Sequence, residues 1–317
     1  MSRAVIFALG CGLLSAVLYA SALVGAAGSL LLVFLVQLPL FVCGLSKEEG
    51  WIGAALAGAA GTAAMVLAGG PWAAGNFALA EAAPAILLSQ RAGLRRPRPD
   101  GSVEWYPAGG LILWLTLYAL AVLGGFMLLY LAAEGGLEGE LRRGLAALLA
   151  SLELSISPEG QAVVDAFVAI MPGLAGATWL LITLGNATLA QALLQRFRRN
   201  LRPGPELASI AFPAWLGLLL GASALLALLG PGSLGFAGRN FCFVLTIPYF
   251  FSGLACIHVA LTRWQSGPRP VVLIYIALAL VVIILSWLAV MAIAAVGVLD
   301  QLCGLRRRLA RPEDRLK

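Results

Sequence analysis

An all-α polytopic bundle that crosses a bilayer about nine or ten times is the fold class this sequence predicts, and three observations predict it. The 317 residues are 61% hydrophobic and only 11% charged, with a mean hydropathy of +0.94, where a soluble domain carries about 25% charge. The apolar residues gather into unbroken runs of about 18 to 27 residues, the length of a membrane-crossing helix. A membrane β-barrel would alternate apolar and polar residues instead. Third, the arginines cluster between the runs, as the positive-inside rule expects of inner loops. The net charge of +6 therefore points to a lipid bilayer and not to nucleic acid.

The spans follow in order. Apolar segments lie at 4–24, 27–45, 50–70 and 72–90, separated by Gly25–Gly28, by Ser46-Lys47-Glu48-Glu49 and by Gly69-Gly70-Pro71. Gly and Pro at such points predict tight turns between antiparallel helices. Arg3, the first apolar run and Ala20-Ser21-Ala22 have the outline of a signal peptide, but the next span follows at once, so an uncleaved first span is expected. The segment Arg91–Pro107, with Arg91, Arg95, Arg96 and Arg98, is an inner loop, and a fifth span covers 108–132.

An acidic stretch with Glu134, Glu138 and Glu140 comes next, then Leu141, Leu145, Leu148, Leu149 and Leu152 at helical spacing. This predicts an amphipathic helix over 137–156, either lying on the outer surface of the membrane or folded against outer loops. The run 159–194 is longer than a bilayer needs and is expected to tilt, project or break at Pro172-Gly173. Arg196, Arg198, Arg199 and Arg202 mark a second inner loop, spans follow at 208–229 and 239–262, and Arg263 and Arg269 return the chain inside. A straight final span over 271–299 would leave Arg306-Arg307-Arg308 outside, so the run, extended to Leu305, is expected to fold back or kink strongly near Ser286-Trp287. One transmembrane domain over 1–305 and a basic cytoplasmic tail over 306–317 result. The alternative way to restore parity is a re-entrant 72–90 segment.

Few residues can carry chemistry. Glu81, midway along the fourth segment, is a carboxyl at a depth where a charge costs several kcal/mol unless paired, protonated or wet. Asn76 lies nearby, and Pro84 frees a backbone carbonyl by lacking an N–H. His258, the single histidine, could pair with Glu81. These three are the candidate solute-binding residues, against the simpler reading that each hydrogen-bonds between helices. Ala4, Ala8, Gly12 and Ala16 form a small-residue stripe on the first span, and Gly53, Ala57 and Gly61 repeat it on the third. Such stripes fit either a partner-docking face or packing within the chain. Arg239 is expected to snorkel outward and Asp165 to be solvated.

Other chemistry is not indicated. Cys11, Cys43, Cys242, Cys256 and Cys303 form no CxxC pair, so neither a metal site nor a cofactor is expected. The sequence holds no GxxxxGK and no HExxH, and Ser252-Gly253 lacks the preceding glycine of an intramembrane serine protease. An enzyme is not expected.

Arg239-Asn240 leading into Pro248-Tyr249-Phe250-Phe251-Ser252-Gly253-Leu254-Ala255 resembles the eighth-span region of YybS-like bacterial membrane proteins. Gly297-Val298-Leu299-Asp300-Gln301 before Arg306-Arg307-Arg308, and Pro84-Ala85-Ile86-Leu87-Leu88 before a basic loop, fit the same family. That family looks distantly similar to the substrate-binding S components of energy-coupling-factor transporters. The resemblance implies an S-component-like bundle with extra helices in a bacterial inner membrane, binding a small solute. It also implies a membrane coupling subunit and an ATPase as partners, with Ala4, Ala8, Gly12 and Ala16 as the docking stripe. The alternative is a membrane scaffold or assembly protein without transport activity.

Overall fold

The computed structural model describes residues 2–23, 32–153, 157–264 and 287–309, which form helices and a two-stranded hairpin. Five helical runs among them are long and apolar enough to cross a membrane, and Ala214–Leu229 and Trp287–Cys303 are shorter apolar helices. The class is the expected one: a polytopic helical bundle. The chain divides into two compact units, Met1–Leu115 with Leu181–Glu206, and Thr116–Leu180 with Leu207–Lys317.

In the first unit α1 (Arg3–Leu23) packs on α3 (Gly50–Phe77). The two small-residue stripes make this contact. A Cβ added at Gly12 would sit 2.1 Å from the Ala57 carbonyl oxygen, and Ala8 and Ala16 are buried. Within the chain the stripe is thus covered, and α1 presents Ile6, Leu13, Leu14 and Val17 outward.

The 43-residue run Gly50–Ala92 is folded in two, as Gly69-Gly70-Pro71 predicts. Gly70 adopts φ 79°, a conformation that costs glycine little, and the following limb returns along the first. A Cβ at Gly58 would lie 3.0 Å from the Ala82 Cβ, and one at Gly61 would lie 2.7 Å from the Phe77 ring. The return limb contains a π-helical turn, Ala78–Ala82, before α4 (Ala83–Ala92).

The second apolar segment differs from expectation. Its described part turns at residues 34–37, and only the seven-residue α2 (Leu38–Gly44) follows, with Pro39 in its first turn. At 1.5 Å per residue α2 is about 10 Å long, short of a crossing; residues 24–31 lie outside the described ones.

The basic loop Arg91–Pro107 is more ordered than its composition suggests. Strands β1 (Arg95–Pro97) and β2 (Val103–Trp105) pair antiparallel, Arg95 opposite Trp105. The turn forms because Gly101 takes φ 81° and the Asp100 carboxylate accepts from the backbone N–H and the hydroxyl of Ser102. Those bonds hold the Asp100 carboxyl below the usual carboxylate range. Helix α5 (Ala108–Leu129) follows, with the Arg91 guanidinium 4.0 Å above the Trp114 ring. The stretch 181–206 closes this unit: the Asn186 amide donates to the Phe34 carbonyl at 2.7 Å, and Arg199 pairs with Glu48 at 2.7 Å.

In the second unit the amphipathic helix is α6 (Gly136–Ser151). Arg142 pairs with Glu138 at 2.8 Å and with Asp165 of α7 (Pro158–Val168), so Asp165 is ion-paired and not simply solvated. Arg239 lies 3.9 Å from Glu138, a partner the snorkelling reading did not supply. Leu148 on α6 and Leu152 just past its end stay exposed.

Of the three outcomes open to the long run 159–194 it takes the break, just ahead of Pro172: α7 ends at Val168 and α8 (Met171–Arg196) restarts the helix. Asn240, fully buried on α10 (Gly232–Trp264), fills the gap. Its Oδ1 accepts from the Gly173 N–H at 2.6 Å, and its amide donates to the carbonyls of Ala169 and Phe236 at 3.1 and 2.8 Å.

Helices α9 (Ala214–Leu229) and α10 (Gly232–Trp264) form a hairpin, and α10 starts two turns earlier than the hydropathy suggests. Helix α11 (Trp287–Cys303) packs along α10 and leads into α12 (Leu305–Leu309). The fold-back expected near Ser286-Trp287 falls on residues 265–286, outside the described ones.

Candidate functional site

The return limb of the α3 hairpin carries Glu81 near its middle, in the π-helical turn. A π turn inserts one residue into the helix and spoils the regular pairing of carbonyls with N–H groups, an irregularity that concentrates at functional sites. Pro84 adds to the irregularity, because it has no N–H to give the Ala80 carbonyl four residues earlier. The structure supplies a substitute from another element: the Gln37 amide, at the entrance of α2, donates to the Ala80 oxygen at 2.9 Å. The freed carbonyl read from the sequence is therefore satisfied by a side chain that the sequence reading did not single out.

Gln37 is 2% exposed, and its Oε1 has no hydrogen-bond partner among the described residues. An orphaned buried acceptor costs about 1–3 kcal/mol. The half-buried Glu81 carboxyl interacts with the same Gln37 side chain. Tyr19 of α1 lies within electrostatic reach of that carboxyl, its ring edge-on to the buried Phe77 at 5.5 Å. The site thus gathers acceptors, the Glu81 oxygens and the Gln37 Oε1, in one part of the first unit. Its chemistry suits something that donates: a proton, an ammonium group or a polyhydroxylated solute.

Asn76 and His258 fare differently. The Asn76 amide donates to the Trp72 carbonyl at 3.1 Å within its own helix. His258 belongs to the second unit, partly buried on α10, and its carbonyl accepts from the Thr262 hydroxyl at 3.0 Å. Gln37 was legible in principle, being the single strongly polar residue in Leu30–Val42. Among the described residues no group of three or more His, Cys, Asp or Glu could hold a metal ion.

A second polar region lies in the second unit. A cavity of about 720 Å³ is lined by the segment 208–212, by Ser252 of α10 and by Asp300, Gln301, Arg306 and Arg308. Gly304, at φ 63°, turns the chain after α11, and the Arg306 guanidinium swings back to Asp300 at 2.6 Å.

Repeated apolar spans, basic segments between them and an ionisable group held inside a helix hairpin define a multi-pass membrane protein. A family model described as "Predicted membrane protein (DUF2232)" matches residues 13–301, a range that takes in Gln37, Glu81 and Asp300, and the chain belongs to that family. No curated protein and no solved structure matches it.

Proposed function

We propose that this chain is a transporter-like subunit of a bacterial inner membrane that binds a small, hydrogen-bond-donating or cationic solute at Glu81 and Gln37. The observation that carries this reading is the unsatisfied Gln37 Oε1, 2% exposed, beside a carboxyl inside a spanning hairpin. Two acceptors held together in a low-dielectric site are costly for the empty protein and are relieved by a ligand that donates to both. The resemblance to S components supports the same reading, and the lack of a phosphate-binding loop in the sequence assigns energising to partner proteins. With the α1 stripe packed on α3, a coupling subunit would meet the outward face carrying Ile6, Leu13, Leu14 and Val17.

The test is a thermal-shift screen of the purified chain against small cationic and polyhydroxylated solutes. A true ligand at a hundred times its Kd adds about 2.7 kcal/mol. Its shift is expected to vanish in Glu81→Ala; a hit that stabilises Glu81→Ala equally would remove the reading.

The C-terminal tail belongs on the cytoplasmic side in this reading. The Arg306 guanidinium donates to the carbonyls of Ala208 and Ile210, in the segment that follows the basic loop Arg196–Arg202. By the positive-inside rule that loop is internal, and the same rule assigns Arg306-Arg307-Arg308 to the inner side. Green fluorescent protein fused after Lys317 is expected to fluoresce, and alkaline phosphatase fused there to be inactive. The opposite pair of results would place the tail outside.

A further inference from the structure

The cavity of the second unit is chemically unlike the Glu81 site. It holds donors where the first holds acceptors. Of its charged lining groups, Asp300 contributes −1 and Arg306 and Arg308 contribute +1 each, leaving +1. Asp300 is 5% exposed and is spent on Arg306, accepting its backbone N–H at 2.7 Å and its Nε–H at 2.6 Å. Four of the five Arg306 guanidinium N–H groups are used, on Asp300, on the carbonyls of Ala208 and Ile210, and weakly on the Ser252 hydroxyl at 3.4 Å. This fixes the guanidinium plane and leaves one N–H without an acceptor among the described residues. Arg308 lines the same cavity, is exposed, and forms no ion pair with a described acid.

Position along the helix adds a second argument. Ser252 lies thirteen residues beyond Arg239 on α10, about 20 Å along its axis. Arg239 meets Glu138 in the acidic end of the unit, so the cavity sits towards the other, basic end. Basic pockets between spans on the cytoplasmic side are where anionic headgroups bind, and arginine is the side chain that best matches a phosphate's oxygens.

We propose that the cavity formed by Ser252, Arg306, Arg308 and the segment 208–212 is a binding site for a phosphate-bearing anion at the inner membrane surface. Arg306 is the positioning residue, immobilised by Asp300, and Arg308, which pairs with no described acid, supplies the charge that attracts the ligand. A phospholipid headgroup and a soluble phosphate ester share this chemistry. The site is independent of the solute reading for Glu81.

Native mass spectrometry of the full chain in mixed micelles with equal phosphatidylglycerol and phosphatidylcholine tests it. The wild type is expected to retain one phosphatidylglycerol in preference, and Arg308→Gln to lower that preference about tenfold, the loss of one charge-assisted bond. Arg308 is exposed, so the variant should melt with the wild type. Arg96→Gln, on the exposed β-hairpin, should leave the preference unchanged. If inorganic phosphate stabilises the wild type but not Arg308→Gln, with no lipid preference in either, the source is a soluble phosphate. Equal lipid retention by wild type and Arg308→Gln with no differential phosphate effect overturns the proposal. So does an equal loss in Arg96→Gln, which would mark general surface attraction.

Discussion

Asn240→Leu is expected to destabilise the purified protein by about 2–4 kcal/mol and to lower its melting temperature in detergent. The substitution keeps side-chain volume but removes the bonds to Gly173 N–H and the Ala169 carbonyl. Gly173 stands in the first turn of α8, where an N–H has no partner within its own helix. Ala169 stands just past the end of α7. Each orphaned group costs about 1–3 kcal/mol when buried. Interhelical bonds in membranes average less, about 0.6 kcal/mol, because the unfolded chain in lipid finds other partners. Here Asn240 is fully buried and bridges both ends of a helix break, so the larger figure governs. Unchanged melting would mean that α7 and α8 hold their break without it.

Gly297→Val should be at least as severe, by about 3 kcal/mol or more. A Cβ at Gly297 would stand 2.0 Å from the Tyr249 carbonyl oxygen, and one at Gly253 would stand 2.0 Å from the Ile293 carbonyl oxygen. Both obstacles are backbone, so no rotamer change relieves them. Helices α10 and α11 would have to part, losing contact along their length, which exceeds the 1–3 kcal/mol typical of core overpacking. Asp300 lies one turn beyond Gly297, so the Arg306 anchor should loosen with it. Gly221→Ala on α9 is the matched control. Its Cβ would meet nothing within 4 Å, and alanine favours a helix over glycine by about 1 kcal/mol. Equal melting of Gly297→Val and Gly221→Ala would contradict the packing described.

The membrane class was legible because it rests on composition and run length, which tertiary contacts do not override. Local breakers also read correctly: Gly70-Pro71 does fold the hairpin, and the long run does break beside Pro172. The motif residues Gly253 and Gly297, noticed through a family resemblance, turn out to be points where α10 and α11 approach too closely for any side chain. What stayed hidden needs partners distant in sequence. Gln37 reaches Ala80 across 43 residues, and Asn240 reaches Gly173 across 67. No periodicity announces such pairs. The small-residue stripe of α1 signalled close approach, and only the structure supplied Ala57 as what approaches. Within the second apolar segment, hydropathy hid a turn, since Phe34–Gln37 is as apolar as the helices around it apart from Gln37 itself.

The most direct test of the Glu81–Gln37 site is to identify what the protein carries. Small molecules released by denaturing the purified wild type, Glu81→Ala and Gln37→Leu proteins can be compared by mass spectrometry. The site described here predicts a donor-bearing solute that is retained by the wild type and lost from both variants, with all three proteins equally helical. A solute retained by all three, or a wild type that releases none, would contradict it.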